Sequence, residues 1–118
     1  MKTVKYENIN FFIGENAIEN WNLLDTSKNI NNNYIWFHVN SFPSPYVIMQ
    51  SSIIELKEQY NNNELNNILN FAANLCKENS KYKYLNNLKI IYTSLNKLEK
   101  GDKIGEVIIK GKKNIIKL

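Results

Sequence analysis

The chain has 118 residues, the size of one ordinary domain, large enough to bury its own core and too small for two. With 43% hydrophobic and 12% aromatic residues the composition excludes a disordered chain, and a single cysteine, Cys76, excludes an internal disulfide. The formal net charge of +4 is uneven: residues 1–76 hold four lysines against seven acids, whereas residues 77–118 hold eleven lysines against four acids.

In chain order, Phe11 to Ile13 is a short apolar strand punctuated by Gly14. Asn16 then caps a helix, with Glu19 three residues on in the manner of a capping box, and Ala17, Trp21 and Leu24 fall on one helical face. This helix is expected to run to about Ser27, where an asparagine tract ends it. Ile35, Phe37 and Val39 alternate with Trp36 and His38, the Phe42-Pro43-Ser44-Pro45 segment turns the chain, and Tyr46 to Met49 continues as a second extended run. Together they predict a β-hairpin. Ser52 and Glu55 repeat the capping-box spacing, and Leu65, Ile68, Leu69, Ala72 and Cys76 mark an amphipathic helix ended by Asn79 or Ser80. The segments LKIIYTS, EVIIK and NIIKL predict three strands, the last two joined across Gly111 and Lys112 as a hairpin. The expected fold is a single α+β domain over 1–118, a mostly antiparallel sheet with two main helices packed on one face.

Catalytic constellations are absent from the pattern. His38 is the only histidine, and no Asp or Glu lies between Thr26 and Ile54 to orient it toward Ser44. One histidine with one cysteine does not make a zinc site, and four glycines make neither a phosphate loop nor a dinucleotide fingerprint. Glu55 and Glu58 read as an exposed helical face. No enzyme activity, metal or cofactor is therefore expected. The sequence also has no glycosylation acceptor, no signal-type apolar region and no run long enough to span a membrane, so a soluble, cytoplasmic protein is expected.

The basic C-terminal third either attracts a polyanion, of which phosphate backbones are the commonest, or solvates exposed strands. All fifteen basic residues are lysines, so the planar arginine fork that reads guanine edges is missing. Lys97, Lys100 and Lys103 around Gly101 form one candidate phosphate-contacting loop, and Lys110, Lys112 and Lys113 a second. On the hairpin, Trp36 and His38 share the face opposite Ile35, Phe37 and Val39. There they either stack on a base or sugar, with Ser44 beside them, or are covered by a helix as core.

A family resemblance rests on several of these residues in order. Gly14, Asn16, Asn20 and Leu23 are spaced G-x-N-x-x-x-N-x-x-L; Trp36-Phe37-His38 is followed by Pro43-Ser44-Pro45; a helix closes at Ser80; Ile91-Tyr92-Thr93 and Gly105-Glu106-Val107 follow. Over nearly its whole length the chain resembles the NFACT-R domain of ribosome-quality-control factors and bacterial fibronectin-binding-like proteins. From Asn74 to Lys100 it looks most like the stand-alone eukaryotic branch, whose members resemble coiled-coil-domain-containing protein 25. The resemblance implies a non-catalytic module that binds RNA, tRNA or rRNA, with DNA as another nucleic acid it could take. The ribosome and translation factors are the implied protein partners, and docking on one of them is the alternative function. Three polar positions of the signature hairpin depart from the pattern: an acidic residue is replaced by Tyr34, a histidine by Tyr46 and a basic residue by Gln50. The further regions of the large members have no counterpart in these residues, so tailing of stalled nascent chains is not expected of them.

Overall fold

The structure, a computed structural model, describes residues 1–118. Eight strands and three α-helices follow one another as β1 (Lys2–Tyr6), β2 (Ile9–Ile13), α1 (Ala17–Ile30), β3 (Ile35–Val39), β4 (Val47–Met49), α2 (Ile53–Gln59), α3 (Asn62–Glu78), β5 (Lys89–Ser94), β6 (Leu98–Lys100), β7 (Val107–Ile109) and β8 (Asn114–Lys117). A six-stranded sheet has the order β1-β2-β4-β3-β5-β8, and β6 with β7 forms a separate two-stranded sheet. Every pairing is antiparallel. This is the expected α+β domain.

The strand alternation divides the core in two. Phe11, Ile13, Ile35, Phe37, Val39, Val47 and Met49 point to one face, where they bury against Leu65, Ile68, Leu69, Ala72, Ala73 and Cys76 of α3. Trp36, Tyr46, Ile48 and Ile91 point to the other and bury against Leu23 and Leu24 of α1, together with Leu95 and Leu98. The two long helices thus sandwich the sheet instead of sharing a face. The reason lies in β3 and β4, which are apolar at almost every position and so demand cover on both sides. Cys76 is fully buried in the α3 layer, and burial pushes its thiol up to about 12.

The caps act as the side-chain chemistry requires. Asn16, Ser52 and Asn61 each accept a hydrogen bond from the backbone N–H three residues on, starting α1, α2 and α3, and Asn79 caps the end of α3. Two further features depart from the sequence-based expectation. β1 pairs with β2 through a two-residue turn in which Glu7 and Asn8 both have positive φ (52° and 60°), an N-terminal hairpin that the charged sequence KTVKY conceals. The last two strands form no hairpin: β7 pairs with β6 and β8 with β5, and the chain crosses between the sheets at Gly111. That crossing has a cause. Val107 and Ile109 pack toward the α1-side core, whereas Ile116 packs toward the α3-side core, so β7 and β8 serve opposite layers.

One buried polar group joins α1 to the β3–β4 hairpin. Asn20 is 5% exposed; its Oδ1 accepts from the Tyr46 backbone N–H (3.2 Å) and its Nδ2 donates to the Ser44 carbonyl (3.5 Å). Gly14 lies directly beneath it, donating its N–H to the Tyr46 carbonyl (3.0 Å), and a Cβ at Gly14 would sit 2.1 Å from Asn20 Oδ1. Substituting Asn20→Ala strands the buried Tyr46 N–H, which costs about 1–3 kcal/mol. Gly14→Ala displaces the same oxygen. In urea unfolding each variant is expected to lose stability of that order, and the double variant to lose less than the sum. Additive losses would show that the two residues do not act on one contact.

Candidate nucleic-acid interface

The small β6–β7 sheet and its loop are held along the length of α1, from Ala17 to Lys28. Trp21 donates its indole N–H to the Glu106 carbonyl (3.0 Å), and Lys100 lies over the Trp21 ring (4.9 Å to its centre) while pairing with Asp25 (2.5 Å). Lys28 donates to the Leu98 carbonyl, and the Tyr46 hydroxyl donates to the Gly105 carbonyl. Gly105 needs to be glycine twice over: its φ is +88°, and a Cβ there would lie 2.9 Å from the Cβ of Ala17. Burial, with the charge of Glu106 beside it, pushes the Tyr46 phenol well above its usual range, so it stays a donor.

Between this sheet and the Asn40–Pro45 turn lies an open cleft of about 860 Å³. Trp36 and His38 line it from β3, and their rings are parallel, 5.2 Å apart at 10°. Tyr46 meets both edge-on (5.5 and 5.8 Å). Another part of the wall is Phe42 stacked on Tyr82 (4.6 Å, 27°), and Ile91, Val107 and Ile109 give it an apolar side. Trp36 is only 1% exposed, and its Nε1 is the one buried side-chain nitrogen or oxygen with no hydrogen-bond partner. His38 is half-buried, and burial holds its imidazole below the usual histidine range, hence neutral at pH 7.

The other candidate residues divide by what their polar ends already touch. Ser44 Oγ accepts from the Val39 N–H (3.0 Å) and donates to the Pro45 carbonyl (3.1 Å), so its hydroxyl builds the turn of the hairpin. Lys100 is engaged with Asp25 and Trp21, and Lys110 pairs with Glu99 (3.5 Å). The ammonium groups of Lys97, Lys103, Lys112 and Lys113 have no acidic partner. Lys97 lies beside Gly111, because a Cβ on that glycine would stand 3.5 Å from the Lys97 side chain, which splits the first predicted lysine cluster and brings Lys97 alone to the second at one end of β6–β7. Lys103, in the loop at the other end, lines the cleft. Sequence spacing does not disclose Lys81, Phe42 or Tyr82, since the turn and the segment after α3 meet only in the folded chain. Of the departures from the family pattern, Tyr46 ties down Gly105, Gln50 accepts from Asn10 (3.3 Å), and Tyr34 packs against the α1-side core.

The fold and this cleft define a class. A family model described as the NFACT protein RNA binding domain matches residues 2–117, and the chain belongs to that family. Its structure is similar to the C-terminal part of the fibronectin/fibrinogen-binding protein of Streptococcus suis, at 21% identity with a TM-score of 0.74. That match covers 93% of this chain and 40% of the other, so this chain spans less than half the length of the protein it resembles. No curated protein matches the sequence.

A protonation test reports on His38 directly. Its pKa is lower folded than unfolded, so the unfolded chain binds the proton first, and stability present above about pH 6.5 is lost as the pH falls through the depressed folded value. Between about pH 6.5 and 5, above the range in which carboxylates titrate, the melting temperature of the wild type is expected to drop while that of His38→Phe stays flatter. Equal pH dependence of the two proteins would show that His38 is not desolvated.

Proposed function

We propose that residues 1–118 act as one non-catalytic RNA-binding module, with tRNA or rRNA as the ligand and DNA as a weaker alternative. Membership of an RNA-binding family supports the ligand class. The observation that carries the geometry is the gathering of unpaired lysines, Lys97, Lys112 and Lys113 at one end of the β6–β7 sheet and Lys103 at the other, while the neighbouring lysines are neutralised by acids. Three-residue strands hold the two ends about 10 Å apart, a span over which a flexible phosphate backbone can meet both. Lysine alone gives point-charge contacts, so affinity depends on charge and strand geometry more than on base identity.

The same reading extends to the cell. The resemblance to the stand-alone eukaryotic branch and to ribosome-quality-control factors supports a cytoplasmic role beside the ribosome, in translation quality control. No helix is long and apolar enough to cross a membrane. Docking on a ribosomal or translation-associated protein is the competing role, and salt separates the two. RNA affinity is expected to fall steeply with ionic strength, and each phosphate contact removed from a single strand to flatten log K against log salt by about 0.7. Lys97→Ala, Lys103→Ala and Lys112→Ala together should weaken binding and reduce the slope by about 2, whereas Lys5→Ala with Lys57→Ala should leave both nearly unchanged. Undetectable binding at low salt, or a slope indifferent to the first set, would favour protein docking.

A further inference from the structure

We propose that the cleft between the β3–β4 turn and the β6–β7 loop receives a single unstacked nucleotide, its base turned in toward Trp36 and His38 and its phosphate held at the rim by Lys81 and Lys103. This rests on the RNA-binding reading and adds to it a base-accepting pocket.

Four properties of the cleft select such an occupant. Its volume, about 860 Å³, falls in the range of sites that enclose cofactor-sized ligands and exceeds what one more side chain would fill. Its walls are flat and aromatic, with the Trp36–His38 pair from the sheet and the Phe42–Tyr82 pair from the loops. With Trp36 buried behind it, His38 together with Phe42 and Tyr82 offers the ring surface that suits the π-face every base presents. Deep in the wall, the Trp36 indole N–H lacks an acceptor although the residue is 1% exposed. A buried donor of this kind favours a ligand that brings an acceptor to it, as the ring nitrogens and carbonyl oxygens of bases do.

Charge completes the argument. Of the two acids that line the cleft, Glu15 pairs with the N-terminal ammonium (3.5 Å) and Lys2 (3.8 Å), whereas Glu106 accepts from the Asp102 N–H (3.2 Å) and keeps its charge beside Tyr46. The two lining lysines are exposed and pair with no acid. The cleft therefore combines an apolar, aromatic interior with two lysines free to meet a phosphate, the groups that a nucleotide requires. With a neutral imidazole, one indole N–H and no arginine, it holds any base that offers an acceptor and discriminates little among them.

An abasic strand tests this, because it keeps the phosphates and removes the bases. Labelled oligouridylate and its fully abasic counterpart are titrated with the 118-residue protein at fixed low salt. The abasic strand is expected to bind about tenfold more weakly, with its salt slope unchanged. His38→Ala and Trp36→Phe should bind the intact strand as weakly as wild type binds the abasic one and show no further loss on the abasic strand. Phe42→Ala, a change at a residue 41% exposed that leaves the buried core whole, guards against a variant that fails to fold and should narrow the same difference. Equal binding of the two strands by the wild type would overturn base insertion while leaving the phosphate-binding reading intact. Binding of neither strand would overturn both.

Discussion

The structure turns on the buried amide of Asn20. A side-chain amide removed from water is costly unless its donor and acceptor are both used, and here they are used on two residues of one hairpin that flank Pro45, the Ser44 carbonyl and the Tyr46 N–H. That bridge fixes α1 against the turn. α1 in turn carries Trp21, Asp25 and Lys28, which fasten the β6–β7 sheet, so the positions of both cleft walls follow from one helix set in one place. Gly14 leaves room for the amide, and Asn16 starts the helix at the right residue. The G-x-N-x-x-x-N-x-x-L spacing is thus a structural device, and Leu23 ends it in the core.

The same economy explains the aromatic residues of β3 and β4. A central sheet covered on both faces needs apolar side chains at successive positions, which gives Ile35, Trp36 and Phe37 together and Tyr46 through Met49 without a break. Toward the end of β3 the cover from α1 thins, and His38 is left half-buried at the boundary between core and cleft. Its stacking on Trp36 makes the core residue and the half-buried one a single aromatic surface. Whether Trp36 belongs to core or site has no exclusive answer: it is buried by α1 and lines the cleft.

Much of this was legible in the sequence. The hairpin, the helix caps at Asn16 and Ser52 and the α3 stripe through Cys76 are local patterns, set by side-chain period and by hydrogen bonds three residues apart, and they appear where the residues predict, whereas the Asn61 cap of α3 lay hidden in an asparagine tract. The placement of α1 on the opposite face was not legible, because it depends on how much apolar surface the assembled sheet leaves uncovered. Nor was the pairing of β7 with β6, two short segments whose partners are chosen by packing. At the site, the lysine-rich loops were visible as charge. What was hidden is which lysines the fold occupies: Asp25 lies 75 positions from Lys100, and nothing local marks them as partners. The cleft itself joins Phe42 to Tyr82 and Trp36 to Lys103, pairs that only the folded chain defines.

The central claim is that RNA meets this domain along the β6–β7 sheet and in the cleft beside the signature hairpin. Backbone amide chemical shifts, followed while the labelled protein is titrated with single-stranded RNA at low salt, test it most directly. The account predicts that the perturbed amides cluster at Trp36 to Ser44, Lys81 to Tyr82 and Lys97 to Lys113, with α2, the outer face of α3 and the β1 edge unmoved. Perturbations centred on β1 or α3, with the cleft and the β6–β7 sheet silent, would contradict it.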